Sequence, residues 1–380
     1  MANVKLSNVI RRAQTKVDKD DTDLVFYVGG EHIESENIRV HSRGIIAEST
    51  IGPMFYYGFK AGDFLLVSRN PHLKKAGLVD FDGICSEKTF VLETANSDVL
   101  LPEFLPFVLQ NERFWDYAYR HRHGSTNTFI NWSTLANYEF ELPDLETQRK
   151  LAEVLWSIND TMEAYKNLIS ATDELVKSQF MEQFGDPSNN VYGYPFTTLK
   201  EVAVGPLSYG SVSSATEFDG ITRYVRITDI MDDGNLGGDI KSATKTDAKY
   251  LLHEGDILFA RTGATVGKTC RYRENYGRAI YAGFLIRLIP DTTLIDPDYL
   301  YHFTKSDYYW DFVRSAQRVV AQPNINAQEY GDLQILLPKI EAQKSFAAFV
   351  QQSDKSKFEL EQALAELNAT YKRIIAENLG

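Results

Sequence analysis

Twice along this chain a series of short apolar runs, broken by turn residues, gives way to a long stretch with helical periodicity. Asp63-Phe64-Leu65-Leu66-Val67, Thr89-Phe90-Val91-Leu92, Asp256-Ile257-Leu258-Phe259 and Phe284-Leu285-Ile286-Arg287-Leu288-Ile289 are such runs, bounded by Gly, Asn, Asp and Pro. Apolar runs of about 4–8 residues between turn signals predict strands. Residues 102–119 and 297–314 each open with Pro near a first turn and carry apolar residues at helical spacing, which predicts one helix apiece. The sections 1–143 and 186–338 therefore read as α/β (α+β) globular domains of mixed, mostly irregular sheet.

The stretches 144–185 and 339–380 differ from these. From Leu145 to Phe184 there is no Gly or Pro. Leu151, Ile158 and Tyr165 recur every seven residues, and Leu155, Met162, Ile169 and Val176 form a second such series, together an a/d seam. In the later stretch one series holds Phe346, Leu360, Leu367 and Ile374, broken by Ser353, and the other holds Val350, Leu364 and Tyr371, broken by Lys357. Each stretch predicts a helix of about 40 residues, roughly 60 Å long. One such helix alone also suits the core of a large domain. Two, each beside a compact domain, favour a paired coiled coil, with Leu151, Leu155, Ile158, Met162 and Tyr165 against Leu360, Leu364, Leu367 and Tyr371. Residues 185–195, with Gly185-Asp186-Pro187, Asn189-Asn190 and Gly193, read as the linker between modules.

The two halves are copies. At a spacing of 195, Pro102-Glu103-Phe104 matches Pro297-Asp298-Tyr299, Trp115-Asp116 matches Trp310-Asp311, Ile130-Asn131 matches Ile325-Asn326, and Leu142-Pro143 matches Leu337-Pro338. Glu146 and Gln148 match Glu341 and Gln343. Upstream the offset drifts, as loop insertions require: Gly62-Asp63 pairs with Gly255-Asp256, and Tyr27-Val28 with Tyr224-Val225. A repeat this long is a duplicated module rather than a solenoid unit of ~20–50 residues. Related jobs on two different targets, or duplication followed by neutral drift, both produce this pattern.

Composition narrows the options. With 380 residues, two or three domains of ~100–200 residues fit. Only Cys85 and Cys270 are present, so a disulfide framework is ruled out and a reducing, cytoplasmic setting is expected. No signal peptide and no membrane span are expected, since no apolar stretch approaches ~18 residues. The net charge of -12 argues against a globally basic nucleic-acid binder, but not against local basic patches or basic partners.

Catalytic motifs are missing. Gly263-Ala264-Thr265-Val266-Gly267-Lys268-Thr269 is one residue short of a phosphate loop, because position 262 is Thr. It reads as a turn between strands. There is no dinucleotide-binding glycine motif and no Asn/Asp-Pro-Pro-aromatic motif; Asn70-Pro71-His72 lacks the second Pro. His121-Arg122-His123 has no further ligand at metal spacing. Local charge favours binding instead. Residues 261–278 carry Arg261, Lys268, Arg271, Arg273 and Arg278 against Glu274. Arg69, Lys74 and Lys75 lie near the equivalent place in the first copy. A second segment offers Arg120, Arg122, Ser125, Thr126 and Asn127, and its counterpart offers Gln317, Arg318, Gln322 and Asn324; Thr262 adjoins Arg261. Arg, Asn and Gln make paired hydrogen bonds to base edges, while Lys and Arg position on phosphate. Each is also an ordinary solvated surface residue.

Two α/β modules, each followed by a long helix opening with Leu142-Pro143-Asp144-Leu145-Glu146-Thr147-Gln148-Arg149 or Leu337-Pro338-Lys339-Ile340-Glu341-Ala342-Gln343-Lys344, resemble the specificity subunit of type I restriction–modification enzymes. Gly255-Asp256-Ile257-Leu258-Phe259-Ala260-Arg261-Thr262-Gly263, with Gln322-Pro323-Asn324-Ile325-Asn326 downstream, is similar to that family's target-recognition domain; Gly62-Asp63-Phe64-Leu65-Leu66-Val67-Ser68-Arg69 matches more loosely. The resemblance implies target-recognition domains at 1–143 and 186–338, each reading half of a bipartite DNA site. The helical regions 144–185 and 339–380 would form an antiparallel spacer. It also implies a non-catalytic chain whose partners are double-stranded DNA, two adenine methyltransferase subunits and restriction/translocase subunits. S-adenosylmethionine, ATP and Mg would belong to those partners, with no cofactor in this chain. The alternative is a coiled-coil scaffold or adaptor that does not read DNA.

Overall fold

The computed structural model describes residues 2–317 and 324–379. The chain divides into two compact units, Met1–Lys166 with Glu361–Gly380, and Asn167–Leu360. The division falls inside the long helices Leu145–Phe184 and Ile340–Leu379 rather than at their ends. The physical reason is that the two ends of each helix are buried in different hydrophobic clusters.

In the first unit a four-stranded antiparallel sheet runs in the order Ile10–Ala13, Thr89–Thr94, Phe64–Val67, Ala76–Leu78. Phe64–Val67 is buried at every position, as a continuous apolar run in a central strand should be. A second sheet pairs Phe26–Val28 in parallel with Gly83–Ser86. Ala2–Lys5 pairs with Glu139–Leu142, which leads into the long helix. The second unit repeats this plan: the sheet order is Ser208–Tyr209, Leu285–Leu288, Ile257–Ala260, Thr269–Arg271. Arg223–Val225 is parallel to Ala279–Tyr281, and Phe196–Thr198 pairs with Gln334–Leu336.

Where the pattern predicts one helix over 102–119, two form, Leu105–Leu109 and Glu112–Arg120; over 297–314 the pair is Pro297–Phe303 and Asp307–Gln317. A polar side chain at each junction explains the break. Buried Asn111 accepts the Phe114 N–H (2.8 Å) and donates to the Val108 carbonyl (2.7 Å). Ser306 donates to the Phe303 carbonyl (2.7 Å) and accepts the Tyr309 N–H (3.3 Å). Each closes one helix and caps the next.

The buried face of the long helices only partly coincides with the a/d seam, sharing Leu155, Phe346 and Val350 with it. In the first turns of each helix the buried positions are Gln148, Ala152, Leu155 and Asn159 on the first and Gln343, Phe346, Ala347 and Val350 on the second. This face packs on the adjacent α/β section. At the other helix ends Val176, Phe180 and Phe184 join the second unit's core, beside Phe346, while Ile375 and Leu379 join the first unit's, beside Leu155. Within each unit the two helix segments are therefore antiparallel. Of the expected seam, Leu155 is fully buried, Leu151 and Tyr371 pack on the same cluster, and Ile158, Met162, Tyr165, Leu360, Leu364 and Leu367 are half-buried. Lys357, an interruption of the heptad, places its ammonium 2.8 and 2.9 Å from the two Asp173 carboxylate oxygens, within the second unit.

The helix-opening motif is explained by its glutamine. Gln148 is fully buried; its amide donates to the Val99 and Pro143 carbonyls (2.9 and 2.8 Å) and its oxygen accepts the Leu101 N–H (3.0 Å). Gln343 does the same with the Leu294 and Pro338 carbonyls (3.2 and 2.8 Å) and the Asp296 N–H (2.8 Å). In both units one side chain staples the long helix to the loop before the short helices, satisfying backbone groups that burial would otherwise leave unpaired.

Candidate nucleic-acid interface

The exit of each central strand builds the candidate site, starting with the Gly-Asp pair at its entry. Gly62 and Gly255 take φ of +95° and +86°, the left-handed region that favours glycine. The Asp63 carboxylate accepts the Lys60 N–H (2.7 Å) and the Asp256 carboxylate accepts the His253 N–H (3.0 Å). Burial pushes both carboxyls up from the usual range, against these hydrogen bonds. The motif is thus a turn that aims the strand.

At the strand's far end the backbone bonds coincide. The Ser68 N–H donates to the Lys88 carbonyl (2.8 Å), and the Ile130 N–H donates to the Ser68 carbonyl (2.9 Å). In the second unit the Arg261 N–H donates to the Phe284 carbonyl (3.1 Å), and the Ile325 N–H to the Arg261 carbonyl (2.9 Å). Arg69 bridges Phe129, and Thr262 bridges Asn324. Four positions therefore correspond: Ser68 with Arg261, Arg69 with Thr262, Lys88 with Phe284, and Phe129 with Asn324. One backbone frame carries two unrelated sets of side chains.

In the second unit Arg261 donates from Nε to the Asn324 side-chain oxygen (3.1 Å) and lies over the Tyr209 ring, 4.8 Å from its centroid. Its guanidinium plane is thereby fixed for the paired contacts that base edges accept. Asn324 is exposed. In the first unit Arg69 is exposed beside a hairpin closed by mutual His123 and Phe129 backbone bonds (2.7 and 2.9 Å). Ser125, Thr126 and Asn127 are exposed at its tip. Arg122 sits over the Tyr119 ring at 3.7 Å, and Arg120 is 3.7 Å from Asp116. Gln317 ends the helix Asp307–Gln317, and Arg318 and Gln322 lie outside the described residues.

Other candidate cations are engaged by the fold. Arg271, with only 10% of its side chain exposed, ion-pairs with buried Asp298 (3.1 Å) and with Glu254 (3.2 Å); the N–H toward Asp298 is not aligned for a hydrogen bond. Arg273 pairs with Asp354 at 2.6 Å. The cationic segment 261–278 is therefore not one cationic surface, because two of its arginines are neutralised by acids of the same unit, buried Asp298 and half-exposed Asp354. Lys75 and Lys268 are equivalent, each carbonyl accepting the N–H of the central strand's last residue, Val67 or Ala260 (3.0 and 2.8 Å). The Lys75 ammonium donates to the Gly30 carbonyl (2.6 Å). Lys268 pairs with Asp232 at 2.6 Å and holds that carboxyl below the usual range. Its loop is a short turn, Gly263–Thr265, between strands. Lys74 lines a cavity of about 450 Å³ with Glu36, Asn159, Met162 and Tyr371. Burial lowers its pKa, but the bonds to Glu112 and Glu36 outweigh that and raise it.

Lys88, Phe284 and Tyr209 are the positions that the sequence did not disclose. The repeat offset drifts just there, and neither a lone lysine nor a lone aromatic shows its exposure in a string of letters. Among the described residues no helix is long and apolar enough to cross a membrane.

A repeated sheet frame with divergent exposed side chains, joined to long helices, defines a tandem recognition-domain protein. The model of the type I restriction modification DNA specificity domain matches residues 11–171 and again 196–369, and this chain belongs to that family. The specificity subunit of the type I restriction enzyme HindI from Haemophilus influenzae (strain ATCC 51907 / DSM 11121 / KW20 / Rd) is 26% identical over 132 residues, 33% of this chain; the chain spans 28% of that relative's length. The fold is similar to the crystal structure of a type I restriction-modification S subunit from M. genitalium (TM-score 0.63, 14% identity, 100% of this chain and 96% of that one). It is also similar to a chain of a structure described as the basis of complex assembly and conformational transition of the type I R-M system (TM-score 0.56, 20% identity, 99% and 97%).

Proposed function

We propose that this chain is the DNA-reading subunit of a type I restriction–modification assembly, with each module reading one half of a bipartite target. The observation that carries this is the shared frame at the strand exit, with outward Arg69, Lys88 and Phe129 beside buried Ser68 in one copy, and Arg261, Thr262, Phe284 and Asn324 in the other. A frame kept while its outward side chains change is what two readers of different sequences need. Two half-sites about one helical turn apart, ~34 Å, suit a duplicated reader. The chain itself is non-catalytic in this reading. Its partners are double-stranded DNA, two adenine methyltransferase subunits and restriction/translocase subunits. The methyl donor, ATP and Mg are bound by those subunits, which also complete the positive clamp that a chain of net charge -12 lacks.

The test is to map methylated motifs in cells carrying the native chain and a chain in which 1–143 comes from a relative. One half of the motif should change while the other stays. Change in both halves, or in neither, overturns the reading. Methyl transfer, DNA cleavage or ATP hydrolysis by the purified chain alone, lost on a point mutation within it, overturns the non-catalytic assignment.

A further inference from the structure

Resting on that reading, the geometry points to Val212 as a reader of a thymine methyl group in the second module's half-site. The loop 210–214 is tied down along its length. The Ser211 N–H donates to the Tyr281 carbonyl (2.8 Å), and the Ser211 carbonyl accepts the Gly283 N–H (2.7 Å). The Tyr224 hydroxyl lies 2.8 Å from the Ser211 carbonyl and 2.7 Å from that of Ser213. Ser213 donates to the Lys245 carbonyl (3.0 Å), and the Ser214 carbonyl accepts the Thr244 N–H (2.9 Å). Val212, the loop's apolar residue, is 96% exposed.

Its position links it to the reading surface. A Cβ built on Gly283 would stand 3.7 Å from Val212 Cγ1, and the next residue, Phe284, is 60% exposed and supplies the carbonyl that fixes Arg261. Val212 therefore lies beside the Gly283-Phe284 segment, whose backbone is bonded both to the Val212 loop at Ser211 and to Arg261. An exposed apolar side chain is ordinary by itself. One carried on a loop fixed by backbone bonds, next to the strand segment that also bonds Arg261, is pre-organised, so that little ordering cost opposes binding. In the major groove the one apolar feature of a base edge is the C5 methyl of thymine, and apolar side chains read it by contact. Module one has Lys88 at the position of Phe284, so this apolar reading is assigned to the second module only.

The experiment uses the assembled methyltransferase complex and duplexes carrying its mapped motif. Each thymine of the second module's half-site is replaced in turn by deoxyuridine, which removes only the methyl. One position should lower the native complex's affinity about fourfold, the value of one buried methyl. Val212→Ser should bind the thymine and uracil duplexes equally there, and Val212→Ile should restore the difference. Indifference of the native complex to every methyl in that half-site, or full discrimination by Val212→Ser, overturns the assignment. Exchange of 1–143 tests the broader reading separately: if that exchange moves one half-site while the methyl scan is flat, only the role of Val212 fails.

Discussion

The first and second modules differ least where side chains bond their own backbone and most where they face outward. Gly62 and Gly255, Asp63 and Asp256, and Gln148 and Gln343 make the same turns and the same staples. Lys88 and Phe284, or Phe129 and Asn324, hold the same places in the backbone frame and share nothing in side-chain chemistry. The lesson is that the carbonyls and N–H groups carry the frame at the strand exit, so its side chains are free to change. The largest effects should therefore come from breaking the frame. Gln148→Ala and Gln343→Ala each leave three backbone groups without partners, and each should cost ~3 kcal/mol of stability, at about 1–3 kcal/mol per buried unsatisfied group with partial rescue by water. Chemical denaturation of the full chain measures this, and a silent variant in one module would end the equivalence of the staples.

The next effect separates the modules instead of joining them. Arg261→Ala should weaken binding of the assembled complex to its target by about 10–100-fold, the range for a lost bidentate base contact, and relax only the second half-site. Ser68→Ala, at the same place in the frame, should leave both half-sites intact. Equal loss on specific and random duplexes would make Arg261 a phosphate contact or a fold residue. A smaller difference should appear at the paired turns. Gly62→Ala and Gly255→Ala both force a Cβ into the left-handed region, at about 1–2 kcal/mol. Gly62 has open space around that Cβ, whereas at Gly255 it would stand 3.0 Å from Pro297 Cγ. The second substitution should therefore lower the melting temperature more.

Much of this frame is legible in the sequence, because strand and helix patterns and repeated motifs are local signals. The two long helices, the strands around Phe64 and Ile257, and the duplication all follow from periodicity and spacing. What was not legible depends on three-dimensional pairing. The heptad places Ile158 and Tyr165 on the buried seam, yet Ala152 and Asn159 are the more buried, because the helix must cover its own α/β section as well as a partner helix. The break at Asn111 depends on a side chain closing two helix ends. Basic residues counted along 261–278 were not a patch, since Asp298 and Asp354, distant in sequence, neutralise Arg271 and Arg273. Side chains whose exposure is set by the fold, such as Val212 and half-exposed Lys88, carry no periodicity at all.

The smallest expected effect tests whether equivalent backbone positions can have different electrostatic duties. Lys75 and Lys268 occupy the same place in the frame, but their ammonium groups end differently. That of Lys75 is spent on the Gly30 carbonyl, a neutral internal acceptor that a phosphate oxygen would have to displace at the cost of leaving the carbonyl unpaired. That of Lys268 is held by Asp232, whose side chain is 95% exposed and whose carboxylate water solvates readily once the lysine turns away. A phosphate can therefore recruit Lys268 more readily than Lys75. In the assembled complex, Lys268→Met should reduce the slope of log affinity against log salt by about 1, with sequence preference unchanged, because a phosphate contact releases counterions and carries no base information. Lys75→Met should leave the slope unchanged and lower thermal stability instead. Identical slopes for the two variants would show that the modules use this position alike, and that the divergence seen at Ser68 and Arg261 does not extend to the phosphate-facing side.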